Sequence, residues 1–191
     1  MHIELTDHLR CPQDHAEGFL VLLPERMEGR RVVAGHLGCP ACGWNTAWRD
    51  GIPGFGGGAR SHELPPCDAA AVVALLGVVG PGGWLALSGS AGALATELAE
   101  QLPGVHLVAI NPPTGVNPTD AISVIGSGRW PIKAHAMRGV VLGADGGGWR
   151  DAGVQSVLPG LRAVGFGAPP AASSGVEILG VADGLWVVRR R

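Results

Sequence analysis

The chain has 191 residues, enough for one domain or for one domain with a small appendage. With 46% hydrophobic and 16% charged residues there is ample apolar material for a core, so disorder for want of one is excluded. The net charge of −2, from 14 basic and 16 acidic residues, provides no general field for a polyanion and excludes a protein that coats nucleic acid.

Thirty-two glycines and 15 prolines imply tight turns and close backbone approaches. Lys133 is the only lysine, and the arginine bias reads as a compositional one; Arg189-Arg190-Arg191 reads as a solvated tail. Early acids, Glu4 and Asp7, and the lack of an apolar run at the start argue against a secretory signal. The most apolar stretch, Ala69 to Val79, is broken by Gly80-Pro81-Gly82-Gly83, well short of the about 20 residues a membrane span needs. The expected compartment is the cytoplasm. There, four cysteines point to metal ligands or free thiols rather than disulfides.

In chain order, short strands are expected at Phe19 to Leu23, Arg31 to Leu37 and Trp44 to Arg49. Gly54 to Ser61 reads as a flexible linker closed by Pro65-Pro66. This divides the chain into a module over 1–60, a linker over 61–67 and a second domain over 68–191. Sixty residues with few large apolar side chains make a poor core, so the first module needs another source of stability. In the second domain Asp68 is the N-cap of a helix over Ala69 to Val79. A strand at Trp84 to Ser88, a helix at Ala91 to Gln101 and a strand at Val105 to Ile110 follow. After a loop from Asn111 to Thr119, strands are expected at Ala121 to Ile125, Gly139 to Leu142 and Leu161 to Phe166. A short helix over Trp149 to Leu158 separates the last two. Val176 to Val181 and Leu185 to Arg189 flank Asp183-Gly184, a hairpin signal. Continuous apolar strands alternating with helices predict a mostly parallel sheet that ends in an antiparallel hairpin.

Cys11-Pro12-Gln13-Asp14-His15 and Cys39-Pro40-Ala41-Cys42-Gly43 form one complete thiolate knuckle and one half knuckle. A structural zinc site needs a fourth ligand, and His15 is preferred to Asp14 because imidazole is the commoner partner. His36 is a backup, and Cys67 reads as a buried thiol. With Leu9-Arg10-Cys11-Pro12, Gly35 to Gly43 and Arg49-Asp50-Gly51-Ile52-Pro53, residues 5–55 resemble the zinc-ribbon family that includes the activator subunit of tRNA and protein methyltransferases. The second cysteine of the first knuckle is missing, and Ala47-Trp48 stands where family members carry Tyr-Pro. The cysteine spacing makes Cys11, His15, Cys39 and Cys42 the expected ligands of a structural zinc, and the resemblance implies a zinc ribbon from which this chain departs at the missing cysteine.

The strand at Trp84 to Ser88 runs into Gly89-Ser90-Ala91-Gly92, a small-residue corner where backbone N–H groups can meet a ligand. At the end of the next strand, where nucleoside-binding sheets place a ribose contact, stands Asn111. Order of elements, seven candidate strands and terminal hairpin resemble the class I S-adenosylmethionine-dependent methyltransferases over residues 68–191. Leu158-Pro159-Gly160-Leu161-Arg162 resembles their Leu-x-Pro-Gly-Gly turn. The resemblance implies a Rossmann-like α/β fold with S-adenosylmethionine held by Gly89, Ser90, Ala91, Gly92 and Asn111. Against it, the acidic residues of the first motif and of the ribose contact are missing, as is helix length after several strands. Asn111-Pro112-Pro113 is read as a loop, because no aromatic follows it. Ser88-x-Ser90-x-Gly92 is no nucleophile elbow, since the last histidine, His135, precedes three strands. Asp145, before Gly146-Gly147-Gly148, is read as a turn aspartate at the substrate-facing end of its strand.

Two functions follow as expectations: a methyltransferase of unknown substrate with a degenerate cofactor site, or a non-catalytic partner of a methyltransferase or of a second copy. No catalytic residue is assigned.

Overall fold

Each buried strand of the second half is apolar on both sides, as a sheet covered on both faces requires. The computed structural model describes residues 1–171, 173 and 175–191. A 3-10 turn over Ile3–His8 leads to a three-stranded antiparallel sheet of β1 (Val21–Glu28), β2 (Arg31–Gly38) and β3 (Asn45–Trp48). There follow β4 (Gly54–Phe55), α1 (Ala69–Leu76), β5 (Trp84–Ser88), a 3-10 turn over Gly89–Leu94, α2 (Ala95–Gln101), β6 (His106–Ile110), β7 (Ile122–Ser127) and β8 (Met137–Leu142). A 3-10 turn over Ala144–Trp149, α3 (Arg150–Gln155), β9 (Val157–Phe166), β10 (Val176–Ala182) and β11 (Leu185–Arg190) complete the chain.

The main sheet has eight strands in the order β10-β11-β9-β8-β5-β6-β7-β4. From β4 to β9 every pairing is parallel, and β9, β11 and β10 pair antiparallel. This is the α/β sheet with a terminal hairpin expected from the sequence, here turned by Asp183 and Gly184, both at positive φ. Asp68 caps α1 by accepting from the Ala71 N–H, and the helix stops three residues before the expected Val79. Gly77 ends it in the left-handed region at φ 64. The helix expected from Ala91 begins as a 3-10 turn and becomes α-helical at Ala95. β9 starts at Val157 rather than Leu161, taking Pro159-Gly160 into an irregular stretch of its pairing with β8.

The two faces of the sheet are covered differently. Leu85, Leu87, Leu107, Ala109 and Val124 pack under α1 and α2. The opposite side chains, among them Trp84, Ala86, Val108, Ile110 and Ile125, pack against Leu5, Leu9, Leu37, Trp48 and Phe55 of the first 60 residues. The N-terminal segment thus lies where crossover helices after β6 and β7 are lacking. It is tied there by the Leu9↔Ile132 bridge, by Arg10 N–H to Pro131 O (2.9 Å) and by Lys133 N–H to His8 O (2.9 Å).

The composition change near residue 60 therefore does not separate two cores. Gly54–Phe55, expected within a flexible linker, is an edge strand whose Gly54 and Phe55 pair with Gly126 and Ser127 of β7. Among the described residues no helix is long and apolar enough to cross a membrane.

Candidate functional site

The first site is built by two turns brought together by the ribbon. Cys11 follows the strand bridge at Leu9, and Cys39 and Cys42 lie on the turn after β2, closed by Cys39 N–H to Trp44 O (2.7 Å) and Gly43 N–H to Cys39 O (2.9 Å). Gly43 permits this closure at φ 75. His15 reaches back to the same point, so one donor atom each from Cys11, His15, Cys39 and Cys42 lies within 4.8 Å of the others. Cys11 Sγ and Cys42 Sγ are 3.6 Å apart, and Cys39 Sγ and His15 Nε2 are 3.4 Å apart. A tetrahedral zinc with Zn–S of about 2.3 Å and Zn–N of about 2.0–2.1 Å has edges of about 3.8 Å and about 3.6 Å between such donors, close to both distances.

The surroundings also fit a cation. His15 Nδ1 lies 2.7 Å from Ala16 O, and an N–H donated there leaves the Nε2 lone pair for a metal. Burial alone would push the Cys39 thiol up. The N–H groups of Cys42 and Ala41, donating to its sulfur, outweigh burial and bring it to about 7. Burial and the neighbouring thiols push Cys11 up to about 11, against the opposing N–H of Gln13. Adjacent thiols that hinder one another's ionisation are a donor set compatible with a divalent cation. Asp14 is outside the cluster, and His36 is held by Glu25 at 2.7 Å. Cys67 stands apart, half-buried, its thiol pushed up by burial and by Asp68.

The second site is the corner after β5. Gly89, Ser90, Ala91 and Gly92 do lie beside Asn111 at the carboxyl ends of β5 and β6, and all are buried. Their polar groups are engaged by the chain itself. Asp145, from the turn after β8, accepts from the Ser90 backbone N–H at 3.1 Å and from its hydroxyl at 3.3 Å. Gly89, at φ 54, has no room for a side chain, because a Cβ there would meet the Asp145 carboxylate. A Cβ on Gly92 would lie 2.6 Å from Pro112 Cβ, so the Asn111-Pro112-Pro113 loop closes the corner from the other side.

Asn111 stands at the ribose position with both ends of its amide committed. Its Nδ2 donates to Ser127 O at 2.7 Å, and its Oδ1 accepts from Ser127 N–H at 2.8 Å. The glycine segment after β4 then passes directly above. Gly58, at φ 102, would drive a Cβ into the Ser127 carbonyl, and Ser61 N–H donates to Asn111 O at 3.2 Å.

The sequence reading missed Asp145 as the partner of Ser90 and the glycine segment as a cover. Asp145 was visible at the end of β8, but its reach across to β5 needs the β5–β8 adjacency that only the strand order supplies.

No family model matches the chain, and no curated protein matches it by sequence. Among solved structures it is similar to the antibiotic-resistance methyltransferase Kmr, with a TM-score of 0.45 and 12% identity over 69% of this chain and 97% of that one. It is also similar to phosphoethanolamine N-methyltransferase 2 of Haemonchus contortus in complex with S-adenosyl-L-methionine, with a TM-score of 0.42 and 11% identity. That match covers 56% of this chain and 30% of the other. At such identities and scores the likeness carries nothing about activity. The sheet order and its two covered faces give an α/β fold whose mainly parallel eight-stranded sheet ends in an antiparallel hairpin, with a Cys3His cluster on its N-terminal ribbon.

Proposed function

We propose that this chain is a non-catalytic, zinc-stapled binding protein built on a methyltransferase-like sheet. Zinc on Cys11, His15, Cys39 and Cys42 supplies folding free energy to a ribbon that lacks a full core of its own, and no chemistry. Structural zinc binding of this kind is worth about 10–16 kcal/mol in small modules. Because the ribbon covers one face of the sheet, that energy reaches the whole chain.

One observation carries the non-catalytic reading: the Asp145 carboxylate occupies the Ser90 N–H, the donor that this corner would otherwise offer to a ligand's carboxylate. A second anion at that N–H would face the carboxylate's repulsion and find the donor already used. The commitment of the Asn111 amide to Ser127 supports the same reading at the ribose position. Titration calorimetry of the zinc-loaded protein with S-adenosylmethionine tests it. No saturable heat is expected up to about 1 mM, and a dissociation constant below about 100 μM would overturn the reading.

A further inference from the structure

The adenosyl corner is closed, but a cavity of about 290 Å³ stays open nearby, where segments leaving the carboxyl ends of β7 and β8 meet the metal knuckle. Its walls include Arg10 and Pro12 from the knuckle, Arg129 and Trp130 from the segment after β7, and Trp149 and Ala152 from the turn and helix after β8. Ligands of open α/β sheets collect at these carboxyl ends. We infer that this cavity binds a small planar aromatic anion, one ring bearing a carboxylate or a phosphate.

Three features set that chemistry. Among the described residues two guanidiniums line the cavity and no carboxylate does. Glu17 pairs with Arg10 at 3.4 Å from outside the lining, whereas among the described residues Arg129 Nη1 meets the Pro12 carbonyl, at 3.1 Å, and no carboxylate. Planar guanidinium suits a carboxylate or phosphate better than any neutral partner. The ring follows from the tryptophans. Trp130 and Trp149 lie 6.1 Å apart at 61°, adjoining walls rather than a stack, so a flat ring can lie against either. Trp130 is buried, and among the described residues its indole N–H has no hydrogen-bond partner.

Size supplies the limit. At about 290 Å³ the cavity lies at the small end of ligand sites and holds one ring with its anionic group, not an adenosyl cofactor. The inference stands whether or not the corner at Ser90 binds an adenosyl group, because the two sites share no residue.

The test uses the zinc-loaded full chain labelled at the tryptophan indole nitrogens, titrated with benzoate, phenyl phosphate and neutral benzyl alcohol. The Trp130 and Trp149 indole resonances are expected to shift saturably with at least one anion, at a dissociation constant of about 0.1–10 mM. A response to benzoate alone marks a carboxylate ligand, and to phenyl phosphate alone a phosphate. Arg129→Gln, which removes the charge, should weaken binding at least about tenfold. Arg10→Gln gives a second reading if the first variant folds poorly. No saturable shift, an equal response to benzyl alcohol, or undiminished binding in both variants would overturn the inference.

Discussion

The carboxylate of Asp145 and the backbone nitrogen of Ser90 lie 3.1 Å apart, joining the turn after β8 to the corner after β5 across adjacent parallel strands. The side chain thus fills from within the position that a small-residue corner ordinarily offers to a ligand. Asp145→Ala removes it and leaves the Ser90 N–H unpaired, which should cost about 1–3 kcal/mol of stability. Urea unfolding of variant and parent checks this, and an unchanged midpoint would mean that the carboxylate contributes nothing to closing the corner.

Asn111 makes a sharper case, because an acid at its place is what a ribose contact calls for. Here Asn111→Asp removes the donor to the Ser127 carbonyl and places a charge 2.7 Å from it. The expected outcome is a loss of about 1–3 kcal/mol in urea unfolding with no gain of S-adenosylmethionine binding by calorimetry. A variant that binds the cofactor at undiminished stability would count against the clamp.

Metal loading should follow the thiols. Elemental analysis is expected to give about one zinc per chain, and Cys39→Ala to bring it below about a tenth. Cys11, held at about 11, must release a proton to bind, so zinc affinity should rise about tenfold or more per pH unit between about pH 7 and 9. Competition with a chromophoric chelator across that range reads the slope, and a flat profile would exclude Cys11 as a thiolate ligand.

Acid should loosen the seam between ribbon and sheet. His2 packs on His106 at 4.3 Å, and Trp84 stacks on His106 and touches His8. Burial lowers the pKa of both His2 and His8, with His106 and then Arg30 adding to the effect at His2 and Lys133 at His8, against Glu4 and Asp7. The Met1 ammonium, buried and donating to the Val32 and Gly51 carbonyls, is held at about 6 by burial and Arg31. In each case the unfolded chain takes up the proton first. Stability is therefore complete above about pH 8 and falls as pH drops, through Met1 between about 8 and 6 and through the histidines below about 6.5. Urea midpoints measured with zinc saturating from pH 8 to 5 should decline, and His2→Gln should flatten the lower part of the curve.

Ribbon and sheet should also unfold together. Leu9, fully buried against the sheet, should cost about 2–5 kcal/mol when replaced by alanine, and a chain of residues 68–191 should fail to fold. Calorimetry of the whole chain is expected to show one transition; two would show separate cores.

The apolar runs at Trp84, His106 and Met137 declare their strands, and the Cys-Pro turns declare the Cys/His cluster, because both signals are local. The covering of one face by the first 60 residues is not local. Leu5, Leu9 and Trp48 look like a sparse core because their partners, such as Ile110 and Ile125, lie far along the chain. Gly56, Gly57 and Gly58 read as a flexible linker, yet all three take positive φ to pass the chain against Ser127. Composition alone does not distinguish a loose glycine segment from one used for close approach.

The closed corner can be tested at the amide that defines it. In a nitrogen–proton spectrum of the zinc-loaded protein, the Ser90 backbone and Asn111 side-chain resonances should stay in place as S-adenosylmethionine is raised to about 1 mM. Saturable movement of both, with Gly92 following, would contradict the account and make the corner a cofactor site.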